Sequence, residues 1–277
     1  MLVDLFYYAW WGDKMSYAFM TVLAVAGGFL YTLLNVIIRR YVANVRSRED
    51  YDEDVDGKMT ASEKEASIAS KAFELEKKKV GFKEVFDEKP LRFAVIVCLG
   101  VVLNGLLAID QGLTPMAFVY FLFFALLTII AFVDLDTMEI PPSLNYIILG
   151  LGIISIFLQP EVTIVQRLIG FVCVSGFLLL LTILIPGAFG GGDIKLMAAA
   201  GFLLGWKGIL TGFIIGLFVG AAIGALQIAM KQKGGKEHMP FGPSLCIGLV
   251  AAVLYGHMII EWYWNIIKMS MPNTYGG

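Results

Sequence analysis

Charge is what this chain has least of. Only 16 % of its 277 residues are charged, against 58 % that are hydrophobic, and its mean hydropathy is +0.77. Globular domains carry charge on about a quarter of their residues; here 21 Lys and Arg plus 23 Asp and Glu, 44 in all, are too few to solvate a 30.4 kDa globule, and many of them crowd between Arg39 and Arg92. A soluble enzyme, a disordered chain and a fibrous protein are thereby excluded. The chain also lacks basic excess: a net charge of −2 argues against a nucleic-acid partner, which would call for a basic face. Cysteine is scarce. Cys98, Cys173 and Cys246 each stand alone in an apolar run, with no C-x-x-C pair to suggest zinc or a disulfide framework, and are expected to be small buried hydrophobes. The two histidines, His238 and His257, are too far apart to nominate as ligands, and His238 is expected at the membrane surface. Nor does the first apolar run end in a small-residue cleavage pattern, and the first basic residue is Lys14, so the run is expected to stay as a span.

What is abundant is long uncharged sequence. A bilayer core needs about 20 apolar residues of helix, and such runs occupy Ser16 to Ile38, Phe93 to Ile109, Gln111 to Val133, Ile140 to Pro160, Leu168 to Gly192, Gly208 to Met230 and Met239 to Ile260. An eighth, Leu196 to Trp206, has 11 residues, about 16 Å of helix, and must be a short or re-entrant element sheltered by protein. The expected fold is all-α: a polytopic membrane protein of about eight transmembrane or membrane-embedded helices with one charged cytoplasmic loop. It divides into an N-terminal span (1–38), the loop (39–92) and a membrane core (93–277). If each run crosses once, 17 of the Lys and Arg fall on the side of Arg39 and only Lys14, Arg167, Lys207 and Lys268 on the other. The basic side is expected to face the cytoplasm. Trp10, Trp11, Trp262 and Trp264 would then lie in the outer aromatic belt. No internal repeat supports an inverted-repeat transporter.

Ionisable groups at or within spans are costly and mark candidate sites. Asp134 stands at the end of the third run, in Val133-Asp134-Leu135-Asp136, and Asp193 at the end of the fifth, in Gly190-Gly191-Gly192-Asp193-Ile194-Lys195. Both ends fall on the cytoplasmic side, so the two can meet. Hydrolysis of a peptide needs one carboxylate to take a proton from water and one carboxylic acid to hydrogen-bond the scissile carbonyl. Two adjacent carboxyls sharing a proton supply both. Gly190, Gly191 and Gly192 would let an extended substrate backbone approach, and would release the chain to restart a helix at Ile194. That helix would aim its N–H groups at Asp193, which makes Asp193 the expected base. Against this, Asp134 and Asp136 can be ordinary interfacial charges, and a GGGD can be a loop that lets two helices pack.

These stretches resemble the type IV prepilin peptidases, membrane aspartic proteases of the GxGD kind. Asp134 to Pro141 is similar to their D-x-x-x-x-x-[IL]-P signature, Gly190 to Lys195 to GxGDxK, and Met239-Pro240-Phe241-Gly242-Pro243 to the PFGP run that opens their last span. Leu34-Asn35-Val36-Ile37-Ile38-Arg39 is similar to the end of their first span. The resemblance implies that Asp134 and Asp193 are the catalytic pair and Asp136 a neighbour. It implies removal of the leader from prepilin or pseudopilin substrates at the cytoplasmic face of a bacterial inner membrane, with the lipid bilayer as the other partner. Met239 to Pro243 is read as a proline-defined entry to a span without a catalytic role, and Lys195 as a partner for a carboxylate or, by default, for lipid phosphate.

Many bacterial members also methylate the new N-terminus with S-adenosylmethionine and hold zinc on two cysteine pairs in the first loop. This chain departs from them, because 39–92 has no cysteine. No cofactor is expected for proteolysis, and S-adenosylmethionine stays open with no glycine-rich motif to support it. The same loop does contain Asp52, Asp54, Asp56, Gly57 and Glu63 at the spacing of a calcium loop. The plainer reading is an acidic loop entering a helix that Thr60 and Glu63 cap and that runs to about Val80. Two alternatives remain at this point: a presenilin-like intramembrane protease, and a proton-coupled transporter using the same acids.

Overall fold

In the computed structural model of the chain, residues 22, 25–43, 45, 90–112, 114–230 and 240–270 are described. Every regular element among them is helical. Residues 25–43 form α1, followed by α2 (Pro90–Gln111), α3 (Pro115–Thr137), α4 (Pro142–Leu158), α5 (Ile164–Leu184), α6 (Gly191–Ala229) and α7 (Gly242–Ser270). Five of them, α2, α3, α5, α6 and α7, are long and apolar enough to cross a membrane. The 17-residue α4 reaches about 25 Å and is largely apolar. The calcium-type residues Asp52, Asp54, Asp56 and Glu63, the helix at Thr60, and Trp10, Trp11 and His238 lie outside the described residues.

Element boundaries follow local chemistry. Pro115 and Pro142 sit in the first turns of α3 and α4, where a missing N–H costs nothing. Thr114 caps α3 through its hydroxyl, which accepts from the Ala117 N–H at 3.1 Å. Thr163 and Gln166 form a reciprocal capping box at the start of α5. Helix α3 ends at Thr137 with Met138 in the left-handed region, at φ 53°. That conformation normally goes to glycine or asparagine; here it turns the chain sharply into Ile140-Pro141.

The chain divides into two compact units, one comprising Met1–Ile109 with Leu135–Met138, the other Asp110–Asp134 with Glu139–Gly277. In the first, α1 and α2 run antiparallel and approach closely through small residues. The Tyr31 ring lies on Gly100, and a Cβ at Gly27 would meet the Asn104 amide and the Gly100 carbonyl at 2.8 Å. Arg92 grips Asp136 in a fork, Nη1 to Oδ1 at 3.0 Å and Nη2 to Oδ2 at 2.7 Å.

In the second unit, α6 packs against α4, α5 and α7. The two last uncharged stretches before the basic segment, expected as separate helices, are one 39-residue helical element broken at Gly205, whose φ of 72° stops the helix. Contacts with α5 and α7 are again made through glycine. Gly170 faces Gly201 backbone to backbone, and Gly212, Gly216 and Gly220, four residues apart, receive Gly248 and Ser244 of α7 and Phe241 just before it. Lipid tails are as apolar as leucine, so close backbone packing of this kind replaces the hydrophobic drive.

Three expectations are corrected here. Arg167, counted among the loop charges, has no exposed surface at all. Its guanidinium donates to the carbonyls of Val162, Ser155, Gln159, Phe202 and Leu203 and to the Ser155 hydroxyl. Those oxygens include the carbonyl ends of α4 and of the first leg of α6, which hydrogen-bond a cation well. Of the cysteines only Cys246 is buried; Cys173 is half-buried and Cys98 exposed, because an apolar side chain loses nothing by facing lipid. Finally, Asp193 does not close the fifth run. Helix α5 ends at Leu184, and the helix restarts at Gly191 rather than Ile194, since the first intrahelical bond is accepted by the Gly190 carbonyl.

Candidate active site

Two carboxylates are buried in the second unit, Asp134 at 5 % exposure and Asp193 at 8 %. Asp134 lies in the last turn of α3, and Asp193 in the first turn of α6. Although 59 positions apart (193 − 134), they are close enough that the charge of Asp134 acts on Asp193. Both act in turn on Cys246, one turn into α7. The structure thus brings together the two acids singled out in the sequence. Asp136, by contrast, is held by Arg92 in the other unit.

Backbone donors hold each acid. Gly190 is the N-cap of α6, and its N–H donates to Asp193 Oδ2 at 3.3 Å; an acid three residues into a helix reaching back to the cap is half of a capping box. Asp193 Oδ1 is buried and has no hydrogen-bond partner among the described residues. Asp134 Oδ2 accepts from the Gly242 N–H at 3.0 Å. Gly242 opens α7, where the first N–H groups have no intrahelical acceptor.

The glycines serve distinct purposes. A Cβ at Gly242 would stand 2.6 Å from Asp134 Oδ2, and one at Gly192 would stand 2.7 Å from the Ile140 Cβ. Gly192 therefore lets α6 begin directly against the Ile140-Pro141 segment. A Cβ at Gly191 would meet nothing within 4 Å, leaving that side of the loop open, while one at Gly190 would stand 3.3 Å from Asp193 Oδ2. Phe189 and Phe241, one before each of these glycine segments, meet edge to face at 5.5 Å and tie the two loops together. The role of Gly242 is the one the sequence reading missed. Met239 to Pro243 was expected to be a mere entry to a span, yet its glycine positions Asp134. The available signal was a glycine at the first position of a helix that proline starts, where a free N–H is guaranteed.

Lys195 is exposed. His257 is exposed on α7, and no group of three or more His, Cys, Asp or Glu among the described residues could hold a metal ion.

Fold and site together define a polytopic helical membrane protein with a paired-aspartate centre built from three helix ends. Residues 121–225 match the model of the Type IV leader peptidase family, and the resemblance to the type IV prepilin peptidases read from the motifs is borne out. Proteins named prepilin leader peptidase/N-methyltransferase are 31 % identical over 160 residues in Bacillus subtilis (58 % of this chain, 63 % of the relative). Those from Legionella pneumophila are 33 % identical over 152 residues (51 % and 53 %), and from Aeromonas salmonicida 32 % over 148 residues (51 % and 50 %). The chain thus spans from half to just under two thirds of the length of these relatives. No solved structure matches.

Proposed function

We propose that this protein is a membrane aspartic endopeptidase that removes the leader of type IV prepilin-like proteins at the cytoplasmic face of a bacterial inner membrane. The observation that carries the reading is the convergence of Asp134 and Asp193, both buried and each with one oxygen tied by a backbone N–H at a helix start. A pair so held is oriented before the substrate arrives, which is where most of an enzyme's electrostatic advantage lies. Asp193, with Oδ1 uncommitted among the described residues, takes the proton of the attacking water. Asp134 hydrogen-bonds the scissile carbonyl, and the tetrahedral intermediate collapses with the proton passed to the leaving amine. The open side at Gly191 gives an extended backbone room to reach the pair.

The relatives' names also carry N-methyltransferase activity. S-adenosylmethionine presents two ribose hydroxyls and a charged amino-acid end. Asp134 and Asp193 are the only buried acids among the described residues, and both are engaged in the pair. Among the described residues no further buried acid is left to take the ribose hydroxyls, so the present reading assigns the pair to hydrolysis alone.

Purified protein incubated with a prepilin tests the reading. The wild type should remove the leader, seen as a gel shift and by mass; Asp134→Asn and Asp193→Asn should accumulate in membranes normally and cleave roughly a thousandfold more slowly or less. Normal processing by either variant refutes the assignment. Adding S-adenosylmethionine to the same reaction shows by mass whether the new amine gains a methyl group.

A further inference from the structure

Asn145 is a buried amide with nothing to bond. It is 4 % exposed, and neither its Oδ1 nor its Nδ2 has a hydrogen-bond partner among the described residues. Leaving such a group unsatisfied costs stability, and the chain avoids that elsewhere by a local device. Asn35 donates to the Tyr31 carbonyl and Asn104 to the Gly100 carbonyl, each four residues back, and Thr128, Thr182 and Thr211 do the same through their hydroxyls. The carbonyl four residues behind Asn145 is that of Pro141, and it accepts instead from the Leu144 N–H at 3.1 Å.

Its place in the fold is fixed by two contacts between α4 and α6. Ile140, just before α4, lies against Gly192, and Gly152 of α4 lies against Phe202 and Leu203. The helices therefore run parallel with a nearly constant offset, which sets Asn145 level with Leu196, about one turn or 5 Å along the axis from Asp193. Asn145 precedes Gly152 by seven residues, close to two full turns, so it shares the face that Gly152 turns to α6. An unsatisfied amide thus stands one turn below a carboxylate whose Oδ1 is also unsatisfied.

We propose that Asn145 is part of the peptide-binding wall of this site: its carbonyl and amino groups take the N–H and C=O of one substrate peptide unit beside the scissile bond. The inference deepens the peptidase reading and rests on it. An amide offers a paired acceptor and donor, the complement of a backbone unit. In a site walled by apolar helices, a substrate backbone entering from water must find such partners or lose its own hydrogen bonds. The partner is generic to peptides, so Asn145 would hold the chain without reading its side chains.

Steady-state cleavage of a prepilin by Asn145→Leu, together with its thermal unfolding in detergent, tests this. Leucine keeps the volume and removes both unsatisfied groups, so the melting temperature should stay level or rise, while KM rises about tenfold with kcat within about twofold, the signature of lost ground-state binding. A lower melting temperature with unchanged KM marks a structural amide and overturns the proposal. A fall in kcat alone does so too, by placing Asn145 on the attacking water. Should the leucine variant fail to accumulate, Asn145→Thr, whose single shorter-reaching hydroxyl cannot span the N–H and C=O of a peptide unit as the two amide atoms do, must raise KM as well; an unchanged KM refutes the idea. A wild type that leaves the leader in place brings down the peptidase reading, whereas an active wild type with an indifferent Asn145→Leu brings down this inference alone.

Discussion

The acid pair depends on single backbone atoms. Asp134 is aimed by one N–H, that of Gly242, and the contact is possible only because position 242 has no side chain. In Gly242→Ala the new methyl would sit 2.6 Å from Asp134 Oδ2, far inside contact distance, with the helix start behind it. The carboxylate must turn away or α7 must retreat. We expect leader removal to fall on the order of tenfold to a hundredfold, a range typical of displacements of about an ångström at a reacting centre, at unchanged protein level in the membrane. Wild-type turnover by Gly242→Ala would show that the bond to Gly242 does not orient the acid. Met138, with its left-handed backbone at φ 53°, shows that local backbone cost is accepted at the turn following Asp134.

Among the helices, the first leg of α6 carries Asp193 and is pinned at both ends. Its start is held against Ile140 by Gly192. At its far end the Phe202 and Leu203 carbonyls receive the Arg167 guanidinium, which also gathers the end of α4. Arg167 makes six hydrogen bonds in all, and its removal strands several buried carbonyls at once. Arg167→Ala should therefore cost about 3–5 kcal/mol of stability, as when one partner of a buried charged contact is deleted, read as a lowered unfolding midpoint in detergent. Arg167→Lys should recover only part of the loss, since an ammonium cannot reproduce the planar fork. Full stability in Arg167→Ala would mean that water replaces the guanidinium at no cost. The glycine contacts of α5 and α7 with α6 belong to the same design, in which backbones meet where a soluble protein would interleave leucines.

For the molecule as a whole, the proposed orientation, with the acids opening toward the cytoplasm, rests on the unequal distribution of lysine and arginine along the sequence. Lys195, exposed and two residues beyond Asp193, is a reporter of that side. In a chain whose three cysteines are replaced, Lys195→Cys should react with a membrane-impermeant maleimide in inverted vesicles and stay unlabelled in intact cells. Labelling from outside would reverse the topology and remove the proposed substrate from reach.

The helical membrane class, the two acids and the glycine loop were all legible in the residue order, because hydropathy and charge act locally and a bilayer admits few alternatives. An acid at the end of an apolar run can be an ordinary interfacial charge; Asp134 and Asp193 stand out through their shared side, the glycines before Asp193 and the resemblance of both stretches to the GxGD peptidases. Other features depend on which atoms meet across helices, and no pattern along the chain reports that. Arg167 looked like a loop charge until carbonyl ends from two helices were seen to enclose it. Gly242 reads as a boundary in the sequence, and only its N–H on Asp134 gives it a role. Hydrogen bonds are short and directional, so partners 108 residues apart, as Asp134 and Gly242 are, become visible only once the helices are packed.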